Sequence, residues 1–209
     1  MFYFTVFLIL QITLIYGWRS AGNQYATCIL ENGAVHCFGK NYKGMLGIGD
    51  TNENTIHTRP QQVYSSGVTD LSCTAGGACC VVKSSKIYCW GSGASCQHGA
   101  GTTANKYSPT LIDSSYKEVQ CGENFCIGRK SDDTMRGWGS NQYIVIEQQP
   151  ANSYGTLCTP HYNWAYPQIK ISSWTVQREG WIVRTTTGDI YGGGYYTHTE
   201  MPYISPYYA

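Results

Sequence analysis

Short apolar runs alternate with clusters of Gly, Asn, Ser and Asp along most of the 209-residue chain, and the runs come in pairs. Tyr25–Leu30, Ala78–Val82, Asn124–Ile127 and Trp181–Val183 are each followed, across a polar turn, by a second run ending in Gly. The second runs are Gly33–Gly39, Lys86–Gly91, Thr134–Gly139 and Asp189–Gly194. Turns such as Glu31-Asn32-Gly33, Lys83-Ser84-Ser85 and Thr187-Gly188-Asp189 separate them. Apolar run, turn, apolar run is the signature of a β-hairpin. The residue before the closing glycine is Phe38, Trp90, Trp138 and Gly193, at intervals of 52, 48 and 55. A recurring unit of that length predicts an all-β array of about four repeats, placed at 22–70, 71–118, 119–170 and 171–209.

The first 17 residues break this pattern, being almost wholly apolar and interrupted only by Thr5, Gln11 and Thr13. The run suits a signal-peptide core better than a membrane span of about 20 residues, and Ile15-Tyr16-Gly17 offers a small residue for cleavage. An uncleaved anchor and a buried strand are the alternatives. No later segment is long and apolar enough to cross a bilayer, so residues 18–209 are expected to form one exported domain free of the membrane.

After the first aromatic-Gly pair, Phe38-Gly39, come Gly44, Leu46, Gly47, Gly49 and Asp50, then Pro60 and Val63. The second unit has Trp90-Gly91, Gly99, Gly101 and Pro109 without the Leu, and the third has Trp138-Gly139-Ser140-Asn141 before it diverges. This run resembles the repeat of the regulator-of-chromosome-condensation family, closely in the first unit and only through its hairpin in the fourth. The resemblance implies a β-propeller whose glycines serve turns and close strand approach. A phosphate-cradling role for Gly44, Gly47 and Gly49 lacks the following helix and the Lys-Ser/Thr that such loops need. Family propellers resemble seven-bladed rings. Four repeats leave open an arc, a smaller ring, a ring completed by a second chain, or an incomplete product. Exposed sheet edges then imply self-association or a partner over the terminal blade.

Ten cysteines in an exported chain read as a disulfide framework. Cys28–Cys37 and Cys80–Cys89 are each nine apart, at equivalent places on the two strands of a hairpin, where facing residues lie within disulfide reach. Gly137 holds the second place in the third unit, so Cys126 is assigned to nearby Cys121, and Cys73 by the same offset to Cys79. Cys96 and Cys158 remain as the last pair. Spacing alone leaves other connectivities open. Zinc at Cys79, Cys80, Cys96 and His98 competes as a reading, but paired C-x₂₋₄-C units are missing, so no metal is expected.

Fourteen basic and thirteen acidic residues leave a net charge of +1, with no basic cluster to track nucleic-acid phosphates. His36, His57, His98, His161 and His198 are scattered one to a segment and read as surface or half-buried turn residues. Asp132-Asp133 sits in a polar turn. No nucleophile elbow, zinc-protease helix motif or papain-like cysteine context occurs, so neither catalysis nor a cofactor is expected. Trp164, Trp174, Trp181, Tyr191, Tyr195, Tyr196, Tyr203, Tyr207 and Tyr208 make the tail aromatic, suited to blade core or to a recognition surface. The expected function is a secreted, non-enzymatic module whose propeller loops bind a protein or a glycan. A structural protein of the cell surface or matrix, a secreted enzyme and an enzyme inhibitor are the rival readings.

Overall fold

The computed structural model describes residues 18–141, 155–162, 170–178 and 180–194. The leader 1–17, Trp164, His198 and the tyrosines beyond Gly194 lie outside them. Among the described residues, four antiparallel sheets follow one another along the chain. The first holds β1 (Arg19–Gly22), β2 (Ala26–Glu31), β3 (Ala34–Lys40) and β4 (Ile56–Tyr64). The second holds β5 (Val68–Cys73), β6 (Ala78–Lys83), β7 (Lys86–Gly91) and β8 (Lys106–Ser114). The third holds β9 (Tyr116–Cys121), β10 (Phe125–Lys130), β11 (Met135–Ser140) and β12 (Thr156–Tyr162). In the fourth, β13 (Ile171–Gln177), β14 (Gly180–Thr185) and β15 (Ile190–Gly194) are described. Each sheet is a simple meander, strand pairing with next strand, as in a propeller blade.

The hairpins form where turn chemistry and apolar runs place them. Asn32 and Gly33 both take positive φ, 52° and 79°, which is the two-residue turn whose twist matches the flanking strands. That turn sets Cys28 opposite Cys37 and Leu30 opposite Val35. The first three blades begin a few residues earlier than the repeats read from the motif, and the fourth begins at Ile171. β1 starts at Arg19, and β5 at Val68 belongs to the second sheet. These first strands carry none of the aromatic-Gly signal, so the motif does not mark them.

The core lies between blades. Cys28, Leu30, Val35 and Cys37 of the first sheet pack with Leu71, Cys79, Val81 and Trp90 of the second. Cys80, Val82, Ile87 and Cys89 face the other way, onto Tyr116, Val119, Cys126 and Trp138 of the third. Phe125, Ile127 and Met135 then meet Ile171, Trp181 and Val183 of the fourth. β6 is therefore covered on both faces, and its unbroken apolar run Ala78-Cys-Cys-Val-Val82 is buried throughout. A half-covered strand alternates instead, as β2 does.

Candidate functional site

The motif residues meet at the seams between blades. Trp90 is fully buried and donates its indole N–H to the Met45 carbonyl of the preceding blade at 2.9 Å. Trp138 makes the same bond one blade later, to the Gln97 carbonyl at 2.9 Å. The indole of each lies against a glycine two residues beyond that carbonyl. A Cβ on Gly47 would stand 2.7 Å from Trp90 Nε1, and one on Gly99 2.7 Å from Trp138 Cδ1. Two residues further on, the Gly49 N–H reaches the Tyr107 carbonyl of β8 at 2.8 Å, and the Gly101 N–H reaches the Cys158 carbonyl of β12 at 2.6 Å. Each motif loop thus clasps the outermost strand of the next blade while holding its tryptophan. The Gly-x-Gly spacing is a joint between repeats.

Gly47→Ala is expected to cost about 2–3 kcal/mol, because its φ of 68° disfavours a side chain and the methyl would enter the Trp90 ring. Gly188, with φ 100° and nothing within 4 Å of an added Cβ, isolates the backbone part alone. Its alanine variant should lose only about 1 kcal/mol. Denaturant midpoints of the two variants measure the difference.

The other motif residues support the clasp. Gly39, Gly91 and Gly139 take φ between 97° and 113° at the register shift of their strand pairs, where a Cβ would strike a carbonyl of the neighbouring strand. Leu46 is fully buried, and the buried Asn41 amide donates to the Asp50 carbonyl at 2.7 Å while accepting the Leu46 N–H at 3.3 Å. The Asp50 carboxylate accepts the Asn52 N–H at 2.8 Å. Gly44 lies against Tyr107, again across the seam. Phe38, the counterpart of Trp90 in the first blade, stays half-buried.

His98 departs from the expectation that the histidines are surface or half-buried turn residues. It occupies the place of Leu46, immediately before the seam glycine, and is fully buried. One ring nitrogen lies 2.8 Å from the Ala104 carbonyl and the other accepts the Ala100 N–H at 3.1 Å, so the ring organises a loop that lacks Asn41. Burial pushes its pKa below the ordinary value of 6.5, against the pull of the Ala104 carbonyl. The unfolded chain therefore takes up the proton first. Stability is present above pH 6.5 and falls as the pH drops from there toward the folded pKa. His98→Leu should flatten this slope, read as thermal midpoint between pH 7 and 5.

The first strands of the blades meet through polar side chains absent from the motif. Asp70 on β5 is buried, pairs with Arg19 of β1, and accepts the Leu71 N–H at 3.0 Å and the Val119 N–H of β9 at 2.8 Å. Ser72 accepts the Cys121 N–H at 3.0 Å, and the Gln120 side-chain carbonyl accepts the Val176 N–H of β13 at 2.9 Å. Burial raises the Asp70 pKa, against the lowering influence of the Val119 N–H and Arg19. In the sequence Asp70 is a lone acid between Thr69 and Leu71, and no motif marks it.

Ten cysteines stand in five pairs at disulfide separation. The Cα distances are 4.1 Å for Cys28 and Cys37, 4.0 Å for Cys73 and Cys79, and 4.2 Å for Cys80 and Cys89. Cys121 and Cys126 stand 4.0 Å apart, and Cys96 and Cys158 4.6 Å. The last pair joins a seam loop to the β12 strand it clasps.

One end of the array carries the long loops 41–55 and 92–105. Glu53 ties them together, accepting Asn105 Nδ2 at 2.9 Å and the Tyr107 hydroxyl at 2.8 Å. On the same end the turns after the first strands form a hydrogen-bonded chain. Asn23 donates to the Ala75 carbonyl, Gly76 N–H to Glu123 and Glu123 N–H to Arg178. Tyr25 and Tyr42 pack there with ring centroids 4.4 Å apart and planes tilted by 34°, and the Lys43 ammonium lies 5.2 Å from the Tyr42 ring. The opposite end carries the short hairpin turns.

Comparison with known families settles what this joint belongs to. The model of the regulator of chromosome condensation (RCC1) repeat matches residues 32–81 and 84–128, and a second form of that repeat matches 116–144, together just over half of the chain. The chain belongs to the RCC1-repeat family. Its residues resemble the ultraviolet-B receptor UVR8 of Arabidopsis thaliana, 24% identical over 181 residues, covering 84% of this chain and 40% of UVR8. Its fold resembles human WBSCR16, with TM-score 0.73 and 19% identity over 85% of this chain and 48% of that one. Prp20p from Saccharomyces cerevisiae, described with its binding properties to Gsp1p and histones, aligns with TM-score 0.67 and 19% identity over 84% of this chain and 43% of that one. The chain spans less than half the length of each of these relatives. The fold is that of an RCC1-like β-propeller protein, and the seam tryptophans and glycines are its repeat signature.

Proposed function

We propose that this RCC1-repeat chain is a secreted, non-enzymatic recognition module that binds a protein through the end carrying loops 41–55 and 92–105. What supports it is the joining of those loops by two hydrogen bonds to Glu53 beside the tilted ring pair Tyr25 and Tyr42, which sets polar groups around aromatic anchors. The binding of Gsp1p and histones by Prp20p supports a protein partner for the fold. Export and disulfide bonding rest on the apolar leader and on ten cysteines at pairing distance. Self-association belongs to the same reading, through the fourth blade's outward face, where Ile182 and Ile190 are 42% and 46% exposed.

The test pairs a quantitative capture from extracellular fluid with a glycan array, using Tyr42→Ala with Lys43→Glu on the long-loop end and Lys86→Glu on the other. A stoichiometric protein partner, lost with the first variant and kept with the second, is the expected result. Glycan binding alone, or dependence on Lys86, contradicts it. Protein recovered from the medium should begin at Trp18, and a cell-retained chain with its leader intact contradicts export.

A further inference from the structure

Four of the five cysteine pairs are not independent of one another. At the first seam the Cys28 sulfur lies 3.9 Å from the Cys79 sulfur, and at the second Cys80 lies 3.9 Å from Cys126. Each contact joins a pair within one blade to a pair within the next. Cys28, Cys73 and Cys79 have their sulfurs within 4.8 Å of one another, as do Cys80, Cys121 and Cys126. The repeat builds the same four-cysteine unit twice. The residue facing the following blade is Cys28 or Cys80, paired across the hairpin to Cys37 or Cys89. The residue facing the preceding blade is Cys79 or Cys126, paired to the adjoining strand at Cys73 or Cys121. At the third seam the corresponding residues are Ile127 and Trp181, and no such unit forms.

We propose that each unit is a thiol–disulfide exchange site with a second bonded state, in which Cys28–Cys79 or Cys80–Cys126 links two blades covalently. The proposal rests on the disulfide reading of the ten cysteines. Once Cys37 is absent or reduced by a small dithiol, the Cys28 thiolate attacks the Cys79 sulfur. The Cys28–Cys79 bond forms, the Cys73–Cys79 bond breaks, and its electron pair leaves on Cys73, which takes the proton that Cys28 lost. The step conserves both thiol and disulfide number and needs no oxidant. Exposure sets its direction. Cys28, Cys79, Cys80 and Cys126 are wholly buried, whereas the leaving sulfurs Cys73 and Cys121 are half-buried, where water can hydrate the departing thiolate. The new links close 51 and 46 residues of chain in place of 9, 6 or 5, so each restrains the unfolded chain more strongly.

The experiment maps disulfides by non-reducing peptide mass spectrometry after alkylation of free thiols, in the full chain and in Cys37→Ala, Cys73→Ala and Cys89→Ala. In the parent chain the five pairs should be intact, and their absence overturns the disulfide reading itself. Given those pairs, Cys37→Ala should yield Cys28–Cys79 with Cys73 alkylated, whereas Cys73→Ala, whose leaving sulfur Cys37 is wholly buried, should keep Cys28–Cys37 with Cys79 as the free thiol. Cys89→Ala should yield Cys80–Cys126 with Cys121 alkylated. The proposal is overturned if Cys37→Ala keeps Cys73–Cys79 with Cys28 as the free thiol, or if the variants scatter into bonds outside their own unit.

Discussion

Trp90→Ala should destabilise the chain by about 3–5 kcal/mol, the usual cost of emptying a fully buried tryptophan site, read as a shift in denaturant midpoint. Three losses combine. The indole leaves a void between two blades that Met45 and Leu46, themselves fully buried, are positioned to line. The Met45 carbonyl loses its 2.9 Å partner inside the core. Gly47 loses the ring it lies against, so the clasp on Tyr107 slackens with it. Trp90→Phe separates these terms by keeping most of the packing and removing the donor, and about 1–3 kcal/mol is expected. The first blade has Phe at this place, Phe38, and it is only half-buried.

Asp70→Ala is the second large loss, at about 3–4 kcal/mol. The Arg19 ion pair contributes little of it, since Arg19 is 60% exposed and water screens and rehydrates the guanidinium. The cost comes from the Leu71 and Val119 N–H groups, each left without its acceptor, at about 1–3 kcal/mol apiece. Asp70→Asn retains one oxygen but turns an amide N–H toward one of those donors, so it should recover only part of the loss. The pH dependence has a definite sign. The folded pKa is raised above 3.8, so the folded chain takes up this proton before the unfolded chain does. The associated stability is fully present below pH 3.8 and is lost as the pH rises through the folded value. The advantage of the parent over Asp70→Asn should therefore widen on acidification through that window, measured by thermal midpoints of both.

Much of the fold was legible because the features that define it are local. Turn residues and apolar runs mark the hairpins within a few positions. The recurrence of aromatic-Gly at Phe38, Trp90 and Trp138 marks the repeat. The purpose of the motif was not legible, because its partners are about 45 residues away: Trp90 bonds Met45, and Trp138 bonds Gln97, 41 residues away. His98 shows the same limit. As a residue type it reads as surface, yet the repeat register places it at the position of Leu46, and register was the better guide to burial. Asp70, Ser72 and Gln120 were invisible for a different reason. Their neighbours on the first strands vary from blade to blade, and only folding brings each acceptor to a backbone N–H of the next blade. The loop face behaves likewise, since Glu53 finds Asn105 and Tyr107 across 52 and 54 residues.

The RCC1 motif in this chain joins blades rather than shaping a single one. Amide hydrogen exchange of the parent and Trp90→Ala under native conditions tests it most directly. Protection should fall together at Gly44–Gly49 in the first blade, at β7, and at Lys106–Thr110 on β8, while the second seam at Cys96–Gly101 and β11 keeps most of its protection. Loss confined to β6, β7 and β8, with the Gly44–Gly49 loop of the first blade unchanged, would contradict it.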